Sequence, residues 1–218
     1  VTDFMYRVGY IDDETTQYEY YDRKLKRLSP DIELIFLKDC KTKEDFLEKI
    51  YAEQIEVLLI DYRMAGNFGF NGTTLINYIN DHVRDLECFI LTGVDRELIS
   101  DGLVTDRNTF QKTVFNTEAD DPQKIKELQD FIDVLRNSAK VYRVRREQKI
   151  ERYKELLELK KSGKLGADEE EFLSLYKVLS SYGMVENLPQ KMLSSSFEKD
   201  LDDLLRVGEA IVKKYTEE

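Results

Sequence analysis

Short apolar runs interrupt the polar sequence at intervals along its first hundred residues. Three of them, residues 34–37 (LIFL), 57–60 (VLLI) and 88–91 (CFIL), are bounded by polar turns. Runs of this kind predict strands that are buried on both faces, as a parallel sheet requires. Residues 5–11 and 109–114 are two further strand candidates. The pattern therefore predicts five strands.

The gaps between these strands have the length and the patterning of helices. The candidate helices are residues 16–28, 43–52, 74–83, 95–103 and 122–135. Strands that alternate with helices in this way predict a doubly wound α/β domain with a parallel sheet, which we place at residues 1–137. In such a domain the functional site lies beyond the carboxyl ends of the strands.

From residue 138 onward the pattern is helical throughout. It predicts three helices: one over residues 140–161, one that begins at Asp168 and ends before Gly183, and one that begins among residues 194–196. Each carries an apolar stripe that needs a partner. Residues 138–218 are therefore predicted to be a helical output region that binds a downstream protein or a second copy of the chain.

Charge and composition narrow the possible functions. The net charge of −11 argues against general nucleic-acid binding. A local basic block interrupts the acidic chain: Lys140, Arg143, Arg145, Arg146, Lys149, Arg152 and Lys154. This block is interpreted as a solvated helix face or a docking face for the acidic N-terminal half, and contact with nucleic acid is the alternative. Without a long apolar segment or a leader, the chain is predicted to be cytoplasmic, with no membrane partner.

Polar residues follow four of the predicted strands. They are Asp12 and Asp13 after the first strand, Asp61 after the third, Thr92 after the fourth and Lys112 at the end of the fifth. Each alone has an ordinary explanation, such as an aspartate that caps a helix. Together, in this order and spacing, they resemble the receiver domain of two-component response regulators, and the resemblance covers about residues 5–136.

The resemblance implies a strand order of 2-1-3-4-5 and a function in signalling. Asp61 would accept a phosphoryl group from a partner histidine kinase or phosphotransfer protein. A carboxylate that attacks a phosphoryl group meets negative charge, so the reaction needs Mg²⁺, which prefers oxygen ligands. The resemblance implies that Asp12, Asp13, Asp61 and the backbone carbonyl of Arg63 form the metal site. Thr92 and Lys112 would bind phosphoryl oxygens, and the chain would not otherwise be an enzyme.

The sequence also departs from the family. Gly72 lies further beyond Asp61 than the corresponding family glycine, and Thr113 replaces a proline. Thr109 stands where the family has an aromatic residue, with Phe110 next to it, so either the strand slips by one position or the aromatic coupling to Thr92 is absent. These departures motivate an alternative, a receiver-like scaffold that acts without phosphorylation. A transcription regulator that binds DNA through residues 140–154 is a third hypothesis.

Overall fold

A computed structural model of the chain describes residues 5–95, 99, 102–116, 121–184 and 206. Its strands are β1 (Tyr6–Ile11), β2 (Ile32–Phe36), β3 (Val57–Asp61), β4 (Glu87–Thr92) and β5 (Thr109–Gln111). Its α-helices are α1 (Tyr18–Leu28), α2 (Lys43–Ala52), α3 (Ala65–Phe68), α4 (Gly72–His82), α5 (Pro122–Lys161) and α6 (Glu169–Ser181). The predicted helix at 95–103 falls mainly outside the described residues.

The five strands form one parallel sheet in the order β2-β1-β3-β4-β5. This confirms the predicted doubly wound fold. Every residue of the central strand β3 is buried, because helices cover the sheet on both faces. On one face, side chains of β1, β3 and β4 share a core with α1 and α5, in which Leu59 and Leu91 join Leu25 and Phe131.

Local signals explain where several helices begin and end. Thr42 caps α2 by accepting a hydrogen bond from the Asp45 amide, and the Asp45 carboxylate accepts one from the Thr42 amide in return. The left-handed backbone of Gly163 follows the end of α5, and that of Gly183 follows α6. The predicted ends of both helices are therefore found in the structure.

Helix α5 differs from the prediction because it is one continuous helix of 40 residues instead of two. Ser138 lies between the two predicted helices, yet this residue is buried and its hydroxyl donates a hydrogen bond to Glu87 at 2.7 Å. The neighbouring Ala139 is fully buried in the sheet-facing core. Tertiary partners thus satisfy a polar side chain that would otherwise interrupt the apolar face.

The chain divides into two compact units, Val1–Glu147 and Gln148–Glu218. The predicted boundary after residue 137 lies inside α5. In the second unit, Leu156, Leu165 and Phe172 form a small core, and the Tyr153 and Phe172 rings stack with centroids 5.2 Å apart. The third predicted C-terminal helix lies outside the described residues apart from Arg206. No helix in the described part of the chain combines the length and the apolar character that crossing a bilayer requires.

Candidate functional site at the carboxyl edge of the sheet

The predicted site residues lie at the carboxyl ends of four strands. Asp12 and Asp13 follow β1, and Lys112 follows β5. Asp61 is the last residue of β3, and Thr92 is the last residue of β4. Because the strands are parallel and in register, with Ile11 opposite Ile60 and Asp61 opposite Leu91, these ends meet at one edge of the sheet.

The edge carries a compact cluster of carboxylates. Asp12, Asp13 and Asp61 each place a carboxylate oxygen within 4.8 Å of the others. Asp12 and Asp61 are only 4% and 5% exposed, whereas Asp13 is partly exposed and leaves the cluster open on one side. Several hard oxygen donors around one point are the ligands that Mg²⁺ takes, so the residues fit the implied ion.

Lys112 partly neutralises this cluster. Its Nζ lies 2.8 Å from Asp12 Oδ2 and 2.8 Å from Asp61 Oδ1. Burial acts to lower the pKa of Lys112, but its hydrogen bonds to Asp12 and Asp61 and the charges of these two groups outweigh burial and raise it. Burial also raises the pKa of Asp61, against the opposing effect of Lys112. The ammonium group, which follows β5, therefore forms ion pairs with carboxylates at the ends of β1 and β3.

Tyr10 is a site residue that the sequence reasoning missed. Its ring is fully buried and its hydroxyl donates a hydrogen bond to Asp12 Oδ2 at 2.5 Å. Burial, followed by the charge of Asp12, raises the pKa of Tyr10. Residues two apart on a strand share a face, so the pair was in principle visible in the sequence. Tyr10 holds the buried Asp12 carboxylate in place.

Thr92 is fully buried and is engaged with the loop that follows β4. Its Oγ1 accepts a hydrogen bond from the Val94 amide at 3.0 Å. The side chain of Gln111 donates to the carbonyl of the same Val94 at 2.8 Å. The structure thus places Thr92 at the correct edge, and its contact with a phosphoryl oxygen stays a prediction.

The register of β5 resolves the question about the aromatic residue. Phe110 lies opposite Leu91, and its ring contacts Phe89 and Phe131 on the face of the sheet covered by α5. Gln111 lies opposite Thr92. The strand therefore does not slip, and a polar residue accompanies Thr92 on β5.

Residues 62–72 form an unusual connection beside Asp61. Met64 is fully buried, and the short helix α3 that follows it ends at Gly69 in the left-handed conformation. At Gly72 a Cβ atom would lie 2.1 Å from the Asp61 carbonyl oxygen, so only glycine fits there. The Arg63 amide donates to Asp61 Oδ2 at 2.7 Å, while the metal-binding role of the Arg63 carbonyl stays a prediction.

Asn67, in α3, is a second residue that the sequence reasoning missed. Its side-chain Nδ2 donates a hydrogen bond to Asp13 Oδ2 at 2.9 Å, across 54 positions of sequence. A periodic sequence pattern cannot predict this contact, because the contact depends on the path of an irregular segment.

All four arginines in the basic block form ion pairs with carboxylates of their own unit. Arg143 and Arg146 lie 2.6 and 3.5 Å from the buried Glu56, and Arg145 lies 3.4 Å from Asp85. Arg152 similarly lies 2.6 Å from Glu171 in the second unit. The pairs of Arg143, Arg145 and Arg146 favour the interpretation of this part of the block as a docking face for the acidic N-terminal half.

Comparisons with known proteins add weak similarities. No protein-family model matches the chain, and no curated protein matches it. Among solved structures, the anti-anti-sigma factor PhyR from Bartonella quintana is 15% identical with a TM-score of 0.42, over 66% of this chain and 51% of that one. The chain thus spans about half the length of PhyR.

The response regulator RcsB of Salmonella typhimurium is 17% identical with a TM-score of 0.43, over 86% of this chain and 96% of that one. The structure of an RcsB–DNA complex is 18% identical in sequence with a TM-score of 0.42, over 84% of this chain and 94% of that one. The assignment of the site rests on its own geometry. The first unit has the doubly wound fold with the sheet order that the resemblance to receiver domains predicted, together with a carboxylate cluster at its edge, and further helices follow it.

Proposed function

We propose that this chain is a signalling switch that is phosphorylated on Asp61 by a partner histidine kinase or phosphotransfer protein. The observation that carries the proposal is the convergence of Asp12, Asp13, Asp61 and Lys112, which come from three strand ends and meet at one edge. If these residues only capped helices or lay separately on the surface, nothing would require them to lie close together. A partly exposed cluster of carboxylates with one neutralising lysine suits phosphoryl transfer to a carboxylate.

The charges in the cluster support a role for a divalent cation. Three carboxylates and one ammonium leave a formal charge of −2 at the edge. This charge repels an incoming phosphoryl group unless a cation offsets it. Mg²⁺, held by Asp12, Asp13, Asp61 and the Arg63 carbonyl, would supply that offset when bound.

The transfer itself forms a bond from an Asp61 carboxylate oxygen to phosphorus. The P–N bond of the donor phosphohistidine breaks, and the imidazole leaves with its electron pair and is protonated. Lys112 can then pair with a phosphoryl oxygen, and the Thr92 hydroxyl can donate to another. The switch returns to its initial state when water hydrolyses the aspartyl phosphate. The chain therefore acts only on itself and turns over no separate substrate.

The output is proposed to be contact with a downstream protein, or dimerisation, through the helical region. Phosphorylation replaces a carboxylate of charge −1 with an acyl phosphate of charge close to −2. It therefore adds about one negative charge at the edge and biases the conformation of the receiver. A change from about 1% to about 99% of the active state needs roughly 5.5 kcal/mol of differential stabilisation. We place this switch in the cytoplasm, where its phosphoryl donor would act.

Phosphodonor labelling tests the proposal. The 218-residue chain is incubated with acetyl phosphate, with and without Mg²⁺, and analysed by intact mass and size-exclusion chromatography. A labile adduct of one phosphoryl mass that requires Mg²⁺ and is absent from Asp61→Asn is expected. A change in elution volume that accompanies the adduct would assign assembly to the helical region. No adduct from acetyl phosphate or from a phosphorylated cognate kinase would overturn the proposal.

The scaffold alternative is favoured by one observation. Thr92 has Gln111 beside it on β5, whereas the aromatic Phe110 packs into the core. A receiver without the aromatic coupling could bind partners constitutively. Equal partner binding by wild type and Asp61→Asn, whether or not phosphodonor is present, would support the scaffold.

DNA binding is the third hypothesis, and it predicts salt-sensitive association that charge reversal within residues 140–154 abolishes. The intramolecular pairs of Arg143, Arg145 and Arg146 compete with such binding. A failure to bind duplex DNA at low salt would exclude this hypothesis.

A further inference from the structure

The connection between β3 and α4 reaches back to the acidic cluster. Asn67 is exposed, yet its side chain hydrogen-bonds to Asp13, the most accessible carboxylate of the cluster. The nitrogen of the amide must face Asp13, because a carboxylate only accepts hydrogen bonds. Asn67 therefore restrains the rotation of the Asp13 carboxylate.

This restraint is compatible with a bound cation. An ionised carboxylate has about four lone-pair sites on its two oxygens. Asp13 can keep the hydrogen bond to Asn67 and still direct a lone pair towards the centre of the cluster. Partners of this kind orient metal-binding carboxylates, and their removal typically weakens metal binding by about 10- to 100-fold.

The segment that carries Asn67 is itself fastened to the domain. The buried Met64 anchors its beginning, and the Gly72 amide donates to the Tyr62 carbonyl at 3.0 Å near its end. Between them, the Phe68 ring packs against Phe46 of α2 at 5.4 Å between centroids. The position of Asn67 therefore depends on α3 and on an aromatic contact with α2.

We infer that Asn67 is the positioning residue of the cation site and couples its occupancy to the order of the α3 segment. The inference rests on the proposed function, because it concerns the same site. Asn67 holds Asp13 in the orientation that the cation needs. By linkage, a cation that fixes Asp13 also stabilises Asn67 and the segment between Met64 and Phe68.

Calorimetric titration of the full chain with Mg²⁺ tests the first part. Asn67→Ala is expected to weaken binding by about tenfold. Asn67→Gln keeps the amide donor and is expected to recover part of the affinity. The matched control is Asn71→Ala in the same connection, because the Asn71 side chain makes no capping hydrogen bond to α4. This control should stay within about twofold of wild type.

A single-tryptophan reporter tests the coupling. The sequence contains no tryptophan, so Phe68→Trp introduces one defined emission signal in α3. Mg²⁺ is expected to shift that emission in Phe68→Trp, and the shift should be lost when Asn67→Ala is added, even at Mg²⁺ concentrations that saturate the site.

The outcomes separate the two proposals. Mg²⁺ binding by wild type that Asn67→Ala leaves within about twofold, or tightens, would overturn this inference and leave the proposed function standing. An emission shift that persists in the double variant would overturn the coupling. If wild type gives no Mg²⁺ binding at all, both this inference and the metal dependence of the proposed function fail.

Discussion

The ion pair between Glu56 and Arg143 allows a quantitative prediction about how α5 is held on the sheet. Glu56, which precedes β3, is only 2% exposed. Arg143 donates two hydrogen bonds to its carboxylate, from Nε at 2.7 Å and from Nη2 at 2.6 Å. The same guanidinium donates to the Met5 carbonyl at 2.8 Å and lies over the Tyr6 ring.

Arg143→Met keeps the aliphatic part of the side chain and removes the charge. Loss of one partner from a buried pair costs about 3–5 kcal/mol, because the other charge is left without compensation. The Arg7 amide at 3.2 Å and Arg146 at 3.5 Å remain near Glu56. We therefore expect the lower end of this range, about 3 kcal/mol of unfolding free energy.

The double variant Glu56→Gln/Arg143→Met removes both charges. It should be more stable than Arg143→Met alone, and the double-mutant cycle with Glu56→Gln should give a coupling of about 2 kcal/mol. A control on the same helix is Arg145→Met. Arg145 pairs with Asp85 at 3.4 Å with more than half of its side chain exposed, so its loss should cost at most about 0.5 kcal/mol.

Native-state hydrogen exchange of the β3 amides in urea is the assay, because these amides report unfolding of the first unit alone. If the unfolding free energy falls by about 2 kcal/mol per molar urea, a loss of about 3 kcal/mol lowers the urea concentration at the unfolding midpoint by roughly 1.5 M. A loss below about 1 kcal/mol for Arg143→Met, or one equal to that of Arg145→Met, would refute the reasoning. The basic block would then need another explanation, and contact with nucleic acid would regain support.

Three further predictions concern the site and the thiols. Lys112→Ala removes the ammonium that is proposed to pair with a phosphoryl oxygen and should lower the rate of acetyl phosphate labelling by about 100-fold; an unchanged rate contradicts this proposed role. Gly72→Ala forces a Cβ atom against the Asp61 carbonyl and should cost more than about 2 kcal/mol in thermal or urea unfolding, and a smaller loss means that the connection relaxes freely. Burial raises the pKa of Cys88 to about 12 and also raises that of Cys40, so at pH 8 a thiol reagent should modify neither until the chain unfolds, and rapid labelling of native protein contradicts this burial.

Much of the site could be predicted from the sequence, because a parallel sheet converts order along the chain into position in space. Once the apolar runs mark the strands, the residues that follow them must meet at one edge. Asp12, Asp61 and Lys112 were therefore predictable as neighbours. In the structure, the Lys112 ammonium lies within hydrogen-bonding distance of both carboxylates. Tyr10 could have been added from the period of two along β1.

Other features depended on partners that are distant in sequence. The sequence pattern predicted two helices, one that ends at residue 135 and one that begins at residue 140. Only the position of Glu87 across the domain shows how the Ser138 hydroxyl between them is satisfied in one continuous helix. Likewise, the sequence left open whether Phe110 faces Thr92. The pairing of β5 with β4 decided that question, because a shift of one residue reverses the face of every side chain.

The sequence by itself thus determined the five strands, the helices α1, α2 and α4, and the carboxylates at the strand ends. These follow from short-range periodicity and from the connection rules of parallel sheets. The tertiary structure alone decided that Asn67 contacts Asp13 and that Arg143 contacts Glu56. Both contacts depend on where irregular or distant segments lie, and a local pattern of polar and apolar residues does not specify the partner of a surface amide or an arginine.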